Sequence, residues 1–265
     1  MKVILSRKGF DSGYGGCPSP ILPDGTLLSM PIPDDSGIPF EAIAFKKKSY
    51  LSIWNDLRPG LKKTGKYAHL DPDIRPDIRV NAISEWKPVF GQCSAAETHL
   101  ENQGVKEGDL FLFFGWFRET EFDGDRLKYR KGTTDKHVIY GYLQVGEIVI
   151  GKRRHDYYWH PHSEDYNVDN NTMYVASERL VIDGQDTGLA GFGTLNYSEC
   201  LVLTKEGYSR SKWELPDCFR NVDISYHTKD SFKNGYFQSA CKGQEFVISE
   251  DDRITEWAKR IILEN

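Results

Sequence analysis

Arg7, Lys8 and Asp11 follow directly on a short apolar run, Val3 to Leu5, and precede a loop holding Gly13, Gly15 and Gly16. These are the residue types of an anion site. Arginine offers a planar fork to phosphate, lysine a point charge, and a carboxylate can orient a sugar hydroxyl or accept a proton. Glycine lets the backbone approach a ligand closely, so the Gly15 and Gly16 amides could complete a nest for the anion, with the Ser6 hydroxyl beside it. The competing reading is an Arg7–Asp11 salt bridge that pins the strand and binds nothing.

A second cation cluster lies at Arg210, Ser211, Lys212 and Trp213. Two cations, a hydroxyl and an aromatic face suit phosphate contact combined with base stacking. A third group, His155, Trp159, His160 and His162, sits in an aromatic loop. A histidine there could serve as general acid and base, since its ordinary pKa near 6.5 lets it do both. His-x-His across a proline does not define a metal site. Its third ligand would have to be His155 or Asp165, and no metal is assigned. His69 and Asp71 place a carboxylate near an imidazole, although Asp-Pro turn chemistry explains the same residues.

These residues need strands to hold them. Leu110 to Phe117 is nearly all apolar and reads as a central strand, and Val138 to Ile150 as a long one bent at Gly141 and Gly146. Phe122 to Asp125 carries a hairpin signal. Tryptophan and tyrosine on these strands (Trp116, Tyr140, Tyr142) are expected in the core. Residues 18 to 39 contain six prolines and read as irregular. Residues 58 to 92 read as a long loop, and Met173 to Ala176 and Leu201 to Thr204 as further strands. Ser94 and Glu97 form a capping-box pattern before a short helix. Ser249 is the expected N-cap of a final helix with Ile254, Trp257, Ala258, Ile261 and Ile262 on one face.

The 265 residues carry a net charge of -5, which argues against a generally cationic nucleic-acid binder but leaves room for a local basic cleft. Five widely spaced cysteines without a C-x-x-C point to free thiols in a cytoplasmic protein. No apolar run reaches the roughly 20 residues of a membrane span. Walker, Rossmann, Gly-x-Ser-x-Gly and zinc-deaminase patterns are absent. One domain over residues 1–265 is expected. Its class is β-rich α+β: a curved mixed sheet or partly open barrel, with short peripheral helices and a C-terminal helix.

Two resemblances add to this. Residues 94 to 150, with Gly108 and Asp109 opening one strand and Gly141 to Val145 in the next, resemble PUA-like folds such as the ASCH and EVE domains. The chain as a whole resembles the third nucleotide-modification-associated domain family of bacteria and phages. The residues that carry it are Ser6 to Asp11, Pro18 to Ile21, Pro31 to Pro33, Gly108 to Phe117, Tyr174 to Ser177 and Ser211 to Pro216. The resemblance implies a nucleotide, or a modified base in DNA, as partner. It implies no particular reaction and no cofactor.

The leading expectation is a nucleotide or modified-base binder of a modification pathway. As an enzyme it would act at a phosphate or glycosidic centre, with Asp11 as carboxylate, Arg7 and Lys8 as clamp, and His160 or His162 as acid-base. The alternatives are a PUA-like reader that leaves modified DNA unchanged, and a defence accessory or scaffold protein.

Overall fold

The fold is organised on Leu110–Asp123, whose first five residues are completely buried. The computed structural model describes residues 1–60, 67–164, 168, 170–241 and 243–265. The strands that concern the site are β1 (Val3–Arg7), β2 (Ser19–Ile21), β3 (Ile32–Asp34), β4 (Tyr67–His69), β5 (Val89–Cys93), β6 (Leu110–Asp123), β7 (Arg126–Tyr129), β8 (Lys136–Ile150), β9 (Asn171–Ala176), β10 (Phe192–Thr194) and β11 (Glu245–Ile248). The helices are α1 (Tyr50–Leu57), α2 (Ser94–Asn102) and α3 (Asp252–Leu263).

The main sheet runs β11-β1-β6-β8-β9-β5, with β2 and β7 also on β6 and β10 on β8. β1 and β2 pair parallel with β6, and the other pairs are antiparallel. The sheet is mixed and open, as expected, and does not close into a barrel. Both expected bends occur, as register shifts between Ile139 and Gly141 against β6 and between Val145 and Glu147 against β9. The β6–β7 hairpin closes through Gly124 and Asp125.

One detail of β6 sets up the site. β1 leaves it with Arg7 opposite Phe114, and β2 rejoins the same edge with Ser19 opposite Phe117. Residues 8 to 18 are therefore extruded from the sheet between two fixed points. Gly115 sits where the chain departs; a Cβ there would lie 2.7 Å from the Lys8 carbonyl, so only glycine lets the backbones cross.

The extruded loop has its own anchor. Phe10 is buried against Trp54 of α1 at 4.9 Å, in a satellite core with Phe40, Ile43 and Tyr50. Burying rings of this size stabilises by roughly 2 to 3 kcal/mol each. Trp54 Nε1 donates to the Gly15 carbonyl and Arg58 to the Gly16 carbonyl, which ties the loop to α1 by backbone as well.

Several local expectations are corrected. Ser94 does not cap α2, which starts from Cys93 without a side-chain cap. Glu97 is instead buried and accepts from the Tyr174 hydroxyl at 3.0 Å. Asp251 rather than Ser249 caps α3, while Ser249 Oγ accepts from the Asp223 amide. The apolar face of α3 is as expected, with Ile254, Trp257, Ala258, Ile261 and Ile262 buried. Residues 58 to 92 hold β4 and a 3-10 turn as well as loop. Leu201 closes a 3-10 turn rather than opening a strand, and Val202 and Thr204 make isolated bridges. Among the described residues no helix is long and apolar enough to cross a membrane. None of the five cysteines is in a disulfide.

Candidate functional site

A cavity of about 640 Å³ opens beside the end of β1, and Arg7, Lys8, Asp11, His162 and Arg210 all line it. Five residues scattered over two hundred positions of sequence therefore converge. His69, Asp71, Gln92, Trp116 and His137 complete the walls.

One wall is cationic and aromatic. Arg7 Nη2 donates to the Cys241 and Gly243 carbonyls, which fix its guanidinium in place. Arg210 lies over the Trp116 ring at 4.0 Å and donates to Ser12 Oγ at 2.8 Å. Among the described residues neither guanidinium has a carboxylate within ion-pair distance. The Arg7–Asp11 salt bridge is not formed. Burial, together with the charge of Arg210, pulls the Arg7 pKa down, although Asp11 and Glu245 oppose this. His137 lies within electrostatic reach of both cations and accepts from Trp213 Nε1 at 3.1 Å. Burial first, then the charges of Arg210 and Arg7, push His137 down to about 3. It is a neutral imidazole at working pH.

The opposite wall is ion-paired. Lys8 Nζ lies 3.1 Å from Glu245 Oε1 and 3.6 Å from Asp71 Oδ2, over the Phe90 ring. It is neutralised inside the protein and is not a free phosphate clamp. Asp71 Oδ1 accepts the Gly91 amide at 2.7 Å and lies 3.3 Å from His160 Nε2. Burial alone would raise the Asp71 carboxyl, but Lys8, His160 and His162 outweigh it and hold it far below the usual range. His162 shares a 2.8 Å hydrogen bond with Asn171 Oδ1, and burial pushes it down to about 3 despite Asp71. Its ring lies across β5 because residue 91 is glycine; a Cβ there would meet His162 Cγ at 2.3 Å.

Other expected residues have different tasks. Asp11 Oδ1 accepts from the Gly13 and Tyr14 amides, closing an Asx turn, and the Asp11 carbonyl accepts from Gly16. The loop amides are thus turned inward, and Gly15 and Gly16 do not line the cavity. Ser6 is fully buried and also does not reach it. Trp213 is a core residue, 1% exposed, and Lys212 packs over Tyr208 and Tyr236 instead of facing the cavity. His160 stands behind Asp71, and exposed His155 lies elsewhere. Asp165 falls outside the described residues.

Two cavity residues run against the sequence reading. Trp116, expected in the core, is half-buried and has its indole N–H without a hydrogen-bond partner. His137 carried no signal, since a histidine opening a strand after charged residues is unremarkable. The family model for nucleotide modification associated domain 3 matches residues 2–249. The chain belongs to that family. The match takes in every residue lining the cavity, from Arg7 to Gln244. No curated protein and no solved structure matches this family member.

Proposed function

We propose that the cavity binds the phosphate and base of a nucleotide, or of a modified nucleotide presented by DNA, in the service of nucleotide modification. The observation that carries this is the pairing of Arg7 and Arg210, two guanidiniums with no carboxylate partner among the described residues, with Trp116 on one wall. Two like charges held together in a partly buried cavity repel, and a bound anion relieves the repulsion. The unmade hydrogen bond of Trp116 Nε1 calls for an acceptor from the ligand.

If the ligand is transformed, the reaction is transfer or hydrolysis at its phosphate or glycosidic centre. Asp11 is a poor choice for the acting carboxylate, because its Oδ1 is taken by the loop. Asp71 and His162 on the opposite wall are better placed to act.

The test is a thermal-shift and calorimetric screen of nucleoside mono-, di- and triphosphates and short DNA strands, with product analysis by mass spectrometry. Binding is expected, and Arg7→Ala and Arg210→Ala should each weaken it at least tenfold with the fold intact. Binding without product supports a reader. Binding that neither variant affects would overturn the assignment of this wall.

A further inference from the structure

The opposite wall carries a grouping that anion binding does not explain. His69, Asp71 and His162 each offer a ligand atom, and these atoms lie within 4.8 Å of one another. Around an ion with bonds of about 2.1 Å the donors stand roughly 3 to 3.5 Å apart, so modest side-chain rotation closes the set.

The hydrogen bonds behind the two rings decide what they present. Asn171 Nδ2 donates to the His162 and Glu164 carbonyls at 3.2 and 3.0 Å, so its oxygen must face His162 Nδ1. That nitrogen therefore carries the proton, leaving Nε2 as the ring's lone-pair nitrogen. His69 Nδ1 is held in the same way by Asp34 Oδ2 at 3.0 Å. A ligand imidazole ordinarily has this arrangement, with its far nitrogen donating to a carboxylate or carbonyl-type oxygen.

Charge points the same way. Asp71 and Glu245 share the single ammonium of Lys8, and Asp34 stands behind His69, so carboxylates outnumber the ammonium in this group. Lys8 need not obstruct a cation on Asp71. Its shorter contact is to Glu245, whose second oxygen is buried and has no hydrogen-bond partner.

The geometry points to a site for one divalent transition-metal ion on His69 Nε2, the Asp71 carboxylate and His162 Nε2. Two imidazoles and one carboxylate suit zinc, iron or cobalt, not magnesium or calcium, which prefer all-oxygen sets. Three protein ligands leave coordination positions open, and the three residues line the cavity, so those positions fall to water or to a ligand oxygen. The site stands independently of the nucleotide reading, because it can be occupied with nothing else bound.

The test is titration of the chelator-treated full chain with Co2+, followed by visible absorption and by calorimetry, with Zn2+ competition. One ion per chain is expected, with ligand-field bands displaced by Zn2+. His69→Ala, which changes a residue at the cavity wall, should weaken binding at least ~100-fold. His162→Ala should do the same, and His155→Ala should change nothing. The inference is overturned if no ion binds, if His69→Ala and His162→Ala bind as the parent does, or if Mg2+ displaces Co2+ at equal concentration.

Discussion

Arg7 and Lys8 are neighbours in sequence and end in opposite walls of one cavity. Arg7 is held by backbone carbonyls and faces the cavity without a carboxylate partner; Lys8 is locked between Glu245 and Asp71. The difference teaches how to read a run of cations. Charge in the sequence becomes charge available to a ligand only where the fold supplies neutral acceptors instead of carboxylates. One wall keeps its positive charge, while the other cancels it and retains an excess of carboxylate.

The largest effect expected from breaking this contrast is on stability. Lys8→Met leaves Asp71 and Glu245 buried without their cation and should cost about 3 to 5 kcal/mol, read from urea unfolding. Adding Glu245→Gln should recover part of that loss, and simple additivity would show that the pair is not coupled.

Behind the ion-paired wall, burial raises Glu97 to about 7 from an ordinary 4.5, with hydrogen bonds from Thr172 and Tyr174 opposing. The native chain then holds a proton that the unfolded chain releases between those values. The contribution of Glu97 to stability should be fully present below about 4.5, fall as pH rises through the window and be lost above 7. A pKa difference of that size corresponds to a loss of a little over ~3 kcal/mol. Glu97→Gln should flatten the slope in unfolding curves taken on either side of the window.

Asp11→Ala removes the acceptor for two loop amides and should cost about 1 kcal/mol, whereas Asp11→Asn, which keeps an oxygen there, should cost much less. A catalytic Asp11 would instead lose turnover equally in both variants. The smallest effect on stability is expected from Arg210→Ala, under ~0.5 kcal/mol by thermal melt, because only a stacking contact and one exposed hydrogen bond are lost. The same variant should nevertheless weaken anion binding strongly, which separates this wall's role in binding from the other's role in folding.

Much of the scaffold could be read in advance. The apolar run of β6, the two bends in β8 and the spaced face of α3 are local patterns, and local patterns survive folding. Arg7, Asp11 and Arg210 were also legible as separate candidates, because cations beside glycine or aromatic residues suggest a polar site; their meeting in one cavity was not. What the sequence hides is how residues are partnered over distance. Lys8 meets Glu245 across more than two hundred residues, and nothing near either one announces it. His69 and Asp71 look like turn residues until β3 supplies Asp34 and the loop after β8 supplies His162. Ser94 and Glu97 show the reverse error. A sound local motif gave way because Tyr174 made a better partner for a buried carboxyl.

The position of β1 has a consequence for how the molecule assembles. It lies between β6 and β11, so its second edge is satisfied by residues 244 to 248. A nascent chain that has not yet extended past Ile248 exposes an unpaired apolar strand and leaves Lys8 without Glu245. The cavity wall and the closing edge of the sheet therefore form together and late. Most of the chain must wait, with one adhesive strand uncovered, for the segment that completes it.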